Sequence, residues 1–183
     1  MTGPRELERA GGPRYARSVE VEVKLVPTAS SYPLRQAILR PHQTIEEMAW
    51  ERDDEPGTAT FGAVERSSGA VVGVVTVFRE PAPFAPGQVA VLSGAQSHEA
   101  TWRLRGMATR ADLQGHGIGS LVLNTAMGHV AGECGTLLWC NARVSAVGFY
   151  ERAGFRTWGD EWVLASIGPH VVMWRGIQPK EAQ

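Results

Sequence analysis

Cysteine is scarce in this chain. Its 183 residues include two, Cys134 and Cys140, too few for a disulfide framework or a zinc site. An excess of charge of either sign is also missing: 18 Lys and Arg stand against 19 Asp and Glu. No global field therefore draws the protein to nucleic acid or to an anionic membrane. No apolar stretch reaches the roughly 18 residues that a membrane span needs. Internal repeats and long low-complexity tracts are absent too. The opening stretch MTGPRELERAGGPRYARS lacks the apolar run of a signal peptide. A reduced, cytoplasmic setting is the expectation, with no nucleic-acid, membrane or metal partner.

What is present fits one globular domain with a real core: 43% hydrophobic and 20% charged residues. Residues 1–18 have little to bury and are expected to form a flexible N-terminal tail, with a domain over 19–178 and a short tail over 179–183. Val19, Val21, Val23 and Leu25 alternate with charged residues, which predicts a half-buried strand ended by Pro27. Ser31 and Pro33 open a predicted helix that Pro41 stops. Thr44 and Glu47 have the capping-box spacing of a second, short helix. Asp53 to Gly57 reads as a turn. Two strands, Thr58–Glu65 and Ala70–Arg79, are joined by a hairpin at Arg66–Gly69. A proline-rich loop over Glu80–Glu99 follows, with a possible strand near Val89–Leu92, and then a strand over Thr101–Thr109.

That strand runs into QGHGIG, residues Gln114 to Gly119. Behind it Ile118, Leu121, Val122, Thr125, Ala126 and Val130 recur at helical spacing, and Gly132 and Gly135 close the helix. Thr136–Asn141 is a short apolar run, as a strand buried on both faces would show. Ser145 is placed to cap a helix bearing Phe149, Tyr150 and Ala153, stopped by Gly154. Trp158–Ile167 and His170–Ile177 read as an antiparallel pair around Gly168-Pro169. The order β-α-α-β-β-β-α-β-α-β-β predicts one mixed α/β domain.

A glycine-rich turn at a helix N-terminus aims free backbone N–H groups and the positive end of the helix dipole at one spot, which suits phosphate. Which phosphate is a matter of spacing. A dinucleotide fingerprint from Gly115 and Gly117 would need glycine where Ser120 stands, so it fails. A Walker loop needs a lysine, and none is near. A bare capping turn without ligand remains open at this level.

Four segments in order, WRLRGMAT, QGHGIG, NAR and FYERAGF, resemble the GNAT family of acyl-CoA-dependent N-acyltransferases. Its signature Q/R-x-x-G-x-G/A falls on Gln114, Gly117 and Gly119, and the likeness in element order extends from Val19 to Ile177. The resemblance implies a central mixed twisted sheet whose two parallel strands splay, here Thr101–Thr109 and Thr136–Asn141. It implies acetyl-CoA (coenzyme A) as cofactor. The pantetheine arm would lie along backbone groups of Met107 and Thr109, and the pyrophosphate on the N–H groups of Gln114, Gly115, His116, Gly117, Ile118, Gly119 and Ser120. Asn141 and Phe149 would border the cofactor. A backbone N–H near Met107 or Ala108 would polarise the thioester carbonyl. Tyr150 matches the family's tyrosine that protonates the departing thiolate; phenol near pKa 10 and thiol near about 8.5 are close enough for that transfer. His116 is expected to contribute its backbone alone.

Thr101 to Thr109 contains no Asp, Glu or His, where some family members carry a carboxylate. Glu65, Asp54, Glu99 and His170, or a water chain, are therefore the candidates for the base that takes the amine proton. His170 and Arg105 are candidate acceptor contacts. Arg103 and Arg105 share one strand face by the period of two and are expected to pair with neighbouring carboxylates. Neither cysteine is expected at the reaction centre. The expected partner is a small-molecule or peptide amine, and the family often forms homodimers. Two functions fit: an acetyl-CoA-dependent N-acetyltransferase acting by direct attack of a primary amine, and a non-catalytic acyl-CoA-binding sensor or partner module. A dinucleotide oxidoreductase is a distant third.

Overall fold

The computed structural model describes residues 19–84 and 100–179. The N-terminal tail, the possible strand near Val89–Leu92 and the base candidate Glu99 lie outside the described residues. Among the described residues, seven strands are β1 (Val21–Leu25), β2 (Ala59–Glu65), β3 (Val71–Arg79), β4 (Thr101–Thr109), β5 (Leu137–Arg143), β6 (Arg156–Leu164) and β7 (Gly168–Gly176). Three helices among the same described residues are α1 (Tyr32–Leu39), α2 (Ile118–Gly132) and α3 (Val147–Arg152). The strands form one sheet in the order β1-β2-β3-β4-β5-β7-β6. Every neighbouring pair is antiparallel except β4 and β5. The expected mixed α/β architecture and its element order are thus present, among the described residues, save one helix.

Periodicity explains which faces are covered. On β1, Val21 and Val23 pack inward while Glu20, Glu22 and Lys24 stay in water; Leu25 ends the series exposed. On α2 the buried side chains are Ile118, Val122, Leu123, Ala126, Val130 and Ala131. Leu123 lies on that stripe, and Leu121, which the spacing placed there, is exposed. The stripe packs with Val72, Val75 and Val77 of β3 and with Trp102 and Leu104 of β4 in the main core. A smaller cluster of Leu34, Val74 and Ala108, with Ile38 and Leu39 against it, seats α1 on the sheet. A third joins Ala82 and Phe84 to Leu137, Trp139, Val172 and Trp174. Each fully buried Val or Leu contributes roughly 1.5–3 kcal/mol, so these clusters hold the sheet rigid on either side of the β4–β5 seam.

The seam is incomplete. The parallel ladder consists of Thr101↔Leu137, Trp102↔Leu138 and Arg103↔Trp139, and ends there. From Leu104 on one strand and Cys140 on the other, the two diverge. On its opposite side β4 pairs with β3 along its length, but the register shifts: Ala108 faces Val74 while Arg105 faces Thr76. Gly106 and Met107 therefore share the place opposite Val75, a β-bulge, which bends a strand and sharpens its twist. Gly106 takes φ +61, and a Cβ there would lie 2.7 Å from Nε of Arg35. Only glycine meets both demands.

Three local expectations are revised. Glu47 does accept a hydrogen bond from the Thr44 amide (2.7 Å), as a capping box requires, but the chain makes one 3-10 turn, Glu46–Met48, and no helix. A single turn does not offset helix nucleation. Ser31 and Ser145 do not cap. The Ser31 hydroxyl donates to the Thr28 carbonyl (2.6 Å), and Ser145 lies inside a 3-10 turn, Val144–Ala146, that leads into α3. The last hairpin turns at residues 165–167, with Ser166 at φ +62, so Gly168-Pro169 belongs to β7.

Candidate active site

The divergence of β4 and β5 opens a cavity of about 470 Å³. Its floor is Leu104, Gly106 and Met107 on one side and Cys140, Asn141 and Ala142 on the other, with Tyr150 beneath. Beyond the last ladder pair, the facing edges of both strands lack a ladder partner. An extended arm of amide groups can enter such an edge as an added strand.

At the far end of β4 the chain turns through Ala111–Leu113 and enters the glycine loop. Gly115 has φ +78 and Gly117 φ +83, and Gly117 is the left-handed residue that starts α2. Its carbonyl accepts the first helical hydrogen bond, from the Leu121 amide at 3.0 Å. The amides of the first helical turn have no intrahelical acceptor and face the exposed loop. The Gln114 side chain donates to the Thr109 carbonyl (3.1 Å), tying the loop to β4. The His116 ring folds back to the Gln114 carbonyl (Nδ1–O 2.9 Å) on an exposed stretch of the loop. A Cβ on Gly119 would sit 3.4 Å from Phe149 Cε2, 3.5 Å from Thr109 Oγ1 and 3.6 Å from Met107 Cε. Phe149, Thr109 and Met107 thus crowd one side of the cradle. Ile118 and Ala108 are buried in the cores, so each has only its backbone to offer.

Tyr150 is buried, at 6% exposure. Its hydroxyl donates to Sδ of Met107 at 3.6 Å, a weak acceptor that does not commit the proton. Burial first, then the neighbouring Cys140, pushes the phenol well above its ordinary value, so it stays protonated at neutral pH. Cys140 lines the same cavity, which corrects the expectation that both cysteines stand apart from it. Burial raises its thiol to about 12 against partial relief from Tyr150 and Arg103. A thiol so protonated is a poor nucleophile.

The opposite wall is built from residues that local patterns did not reveal. Arg35 is fully buried and donates to Asp53 (2.6 and 3.3 Å), to Thr76 Oγ1 (2.7 Å) and to the Met48 carbonyl (3.1 Å). Arg105 also donates to Asp53, at 2.9 Å. The Trp50 ring lies 4.4 Å from the Arg35 guanidinium, and its amide donates to Asp53 (3.0 Å). This network pins Trp50 to the cavity wall. Asp53, read from sequence as a turn residue, is its hub. Arg103 pairs with Glu80 at 2.8 Å, so both strand arginines meet carboxylates as expected.

His170 lies within β7 rather than in the turn, opposite Arg143 of β5 and Trp162 of β6. It is 5% exposed and lines the cavity. Its Nδ1 lies 2.8 Å from the Gly168 carbonyl. A carbonyl only accepts, so Nδ1 carries hydrogen and Nε2 of the neutral ring holds the lone pair. The other candidate bases are remote: Glu65 sits near Arg110 (3.9 Å) on β2, and Asp54 is exposed in a turn and does not line the cavity.

A mixed sheet parted between parallel neighbours, with a glycine-led helix at the parting, is the fold of acyl-CoA N-acyltransferases. Residues 28–155 match the model of the Acetyltransferase (GNAT) family, and the chain belongs to that family. It is 30% identical over 158 residues to an uncharacterized N-acetyltransferase, YitI, of Bacillus subtilis (strain 168), covering 86% of this chain and 97% of that protein. Among solved structures, the ribosomal-protein-S18-alanine N-acetyltransferase of Escherichia coli superposes with a TM-score of 0.66 at 13% identity, over 90% of this chain and 98% of that one. An aminoglycoside 6'-N-acetyltransferase complexed with coenzyme A superposes with a TM-score of 0.63 at 14% identity, over 88% and 99%. Both likenesses are of fold. Among the described residues no helix is long and apolar enough to cross a membrane.

Proposed function

We propose that the protein transfers an acetyl group from acetyl-CoA to a primary amine by direct attack. One observation carries this reading: the ladder stops at Arg103–Trp139, the gap beyond it is lined by Tyr150, and β4 leads on into the glycine loop that starts α2. These residues fit coenzyme A. The edges of Met107 and Asn141 suit the pantetheine amides, the amides of Gly115 to Ser120 suit the pyrophosphate, and Phe149 covers the approach. Acetyl-CoA, when bound, supplies an activated acyl group and a thiolate that can leave.

The rest is done by the chain. The backbone near Met107 and Ala108, bent by the bulge, orients the reacting carbonyl. Tyr150 holds its proton at Oη and delivers it to the departing sulfur. His170 accepts the amine proton at Nε2, since no Asp or Glu lines the cavity among the described residues. Cys140 stays a neutral thiol, so no acyl-cysteine step is invoked.

The test is release of free thiol from acetyl-CoA across a panel of primary amines. Amine-dependent release is expected; tight coenzyme A binding with no release from any amine makes the protein an acyl-CoA sensor instead. In the same assay His170→Gln is expected to lower kcat/KM for the amine about 100-fold. An unchanged rate hands the base role to water.

A second prediction concerns the cradle. Gly117 starts α2 at φ +83, where a β-branched residue is strongly disfavoured. Gly117→Val is expected to abolish coenzyme A binding by calorimetry while circular dichroism stays unchanged. Retained affinity would remove the loop from the cofactor site.

A further inference from the structure

Four arginines line the cavity: Arg40, Arg103, Arg105 and Arg143. No carboxylate joins them among the lining residues. Two are neutralised from behind, Arg103 by Glu80 and Arg105 by Asp53. The other two are not. Arg40, just past the end of α1, donates to the Leu39 carbonyl at 2.9 Å. Arg143, the last residue of β5, donates to that same carbonyl. Neither has an ion-pair partner among the described residues. Both are half-buried, and Trp50 lies 5.8 Å from the Arg40 guanidinium.

Two guanidinium groups converging on one carbonyl oxygen repel each other. Burial, and after it the charge of Arg143, lowers the Arg40 pKa, which registers the strain of the pair. An oxyanion between them would relieve it. Guanidinium groups bind carboxylate and phosphate in paired, planar hydrogen bonds. His170 stands opposite Arg143 on the neighbouring strand, so an anion held there brings the rest of its molecule beside the proposed base. Polycationic amines meet the reverse situation, since every charged group in the cavity wall repels them.

Resting on the transferase reading above, we infer that the acceptor is an amine that also carries an oxyanion, a carboxylate or a phosphate, seated between Arg40 and Arg143. The pair is a specificity device and takes no part in the bond changes. The acetyl group passes from sulfur to nitrogen, the amine proton leaves for His170, and the acceptor's oxyanion is unchanged throughout.

The experiment compares amines that differ in one charged group. Thiol release from acetyl-CoA is followed with amino acids against their amides, O-phosphoethanolamine against ethanolamine, and putrescine as the dication. At least one anionic member is expected to exceed its neutral partner at least tenfold in kcat/KM, and the two anionic arms tell carboxylate from phosphate. Arg40→Gln and Arg143→Gln should each pull that ratio toward one by raising the acceptor KM. Arg143→Lys, which keeps the charge and loses the planar fork, should fall between. Calorimetry with coenzyme A is read in parallel, and its affinity should not move. Preference for neutral amines or putrescine overturns the inference and leaves the transferase standing. An unchanged ratio in both glutamine variants also overturns it. If no amine releases thiol, direct calorimetry of the anionic members decides: binding lost in Arg143→Gln upholds the oxyanion site while the transferase falls, and absence of binding overturns both.

Discussion

Tyr150→Phe is expected to lower kcat about 10–1,000-fold and to leave coenzyme A affinity within about twofold. The ring, its packing against Phe149 and Phe155 and its place in the core survive the change; the proton on Oη does not. The loss should fall in this range because coenzyme A thiolate, with a thiol pKa near about 8.5, leaves tolerably well without help. Since burial raises the phenol well above 10, Tyr150 stays protonated across the neutral range and acts first as a hydrogen-bond donor to the departing sulfur, a weaker acid than a free phenol. It should therefore produce no alkaline fall in rate below about pH 10. Full activity in the phenylalanine variant, measured by steady-state kinetics with saturating acetyl-CoA, would remove Tyr150 from the chemistry.

Asp53→Asn is expected to cost about 3–5 kcal/mol of folding stability, the penalty for removing one member of a buried ion pair. The Arg35 and Asp53 side chains are 0% and 1% exposed, and Arg105 leans on the same carboxylate. The variant would leave two guanidinium groups facing each other with no countercharge. Urea denaturation should show a lower midpoint with an unchanged slope. The pH dependence has a definite sign. Burial alone would raise the Asp53 pKa, but Arg35, the Trp50 amide and Arg105 outweigh it and hold the carboxyl below the usual range. Its contribution is present above the unfolded value of about 3.9 and is lost as pH falls through the lower folded value. The gap between wild type and variant should narrow below about pH 4. A variant as stable as wild type at pH 7 would show that the network is dispensable.

Much of the glycine-loop side of the candidate site could be read from sequence because its signals are local. Gln114, Gly117 and Gly119 lie within six consecutive residues, and Tyr150 sits in a short run, FYERAGF, whose spacing carries the resemblance. The opposite wall of the cavity is different. Arg35 meets Asp53 across 18 residues, and Arg143 meets Leu39 across 104. An arginine on an amphipathic helix reads as solvated, and nothing near Arg35 in the chain announces a carboxylate from a turn. The same limit misplaced the last hairpin turn. Gly168-Pro169 is the stronger turn signal in isolation, yet Ser166 adopts the positive φ and β7 begins at Gly168. Pairing with β5 and β6 decided the register there.

The extra residue in β4 has one more effect. A regular pleat would send Arg103, Arg105, Met107 and Thr109 all to one side of the sheet. The shift at Gly106 changes the phase: Arg105 reaches Asp53 on the α1 side, while Met107 and Thr109 turn to Gly119 on the α2 side. A single strand thereby sends its odd-numbered positions to both faces of the sheet. Because Gly106 is the extra residue, its removal would take the bend out of β4 yet leave Arg105 and Met107, then direct neighbours, on opposite faces.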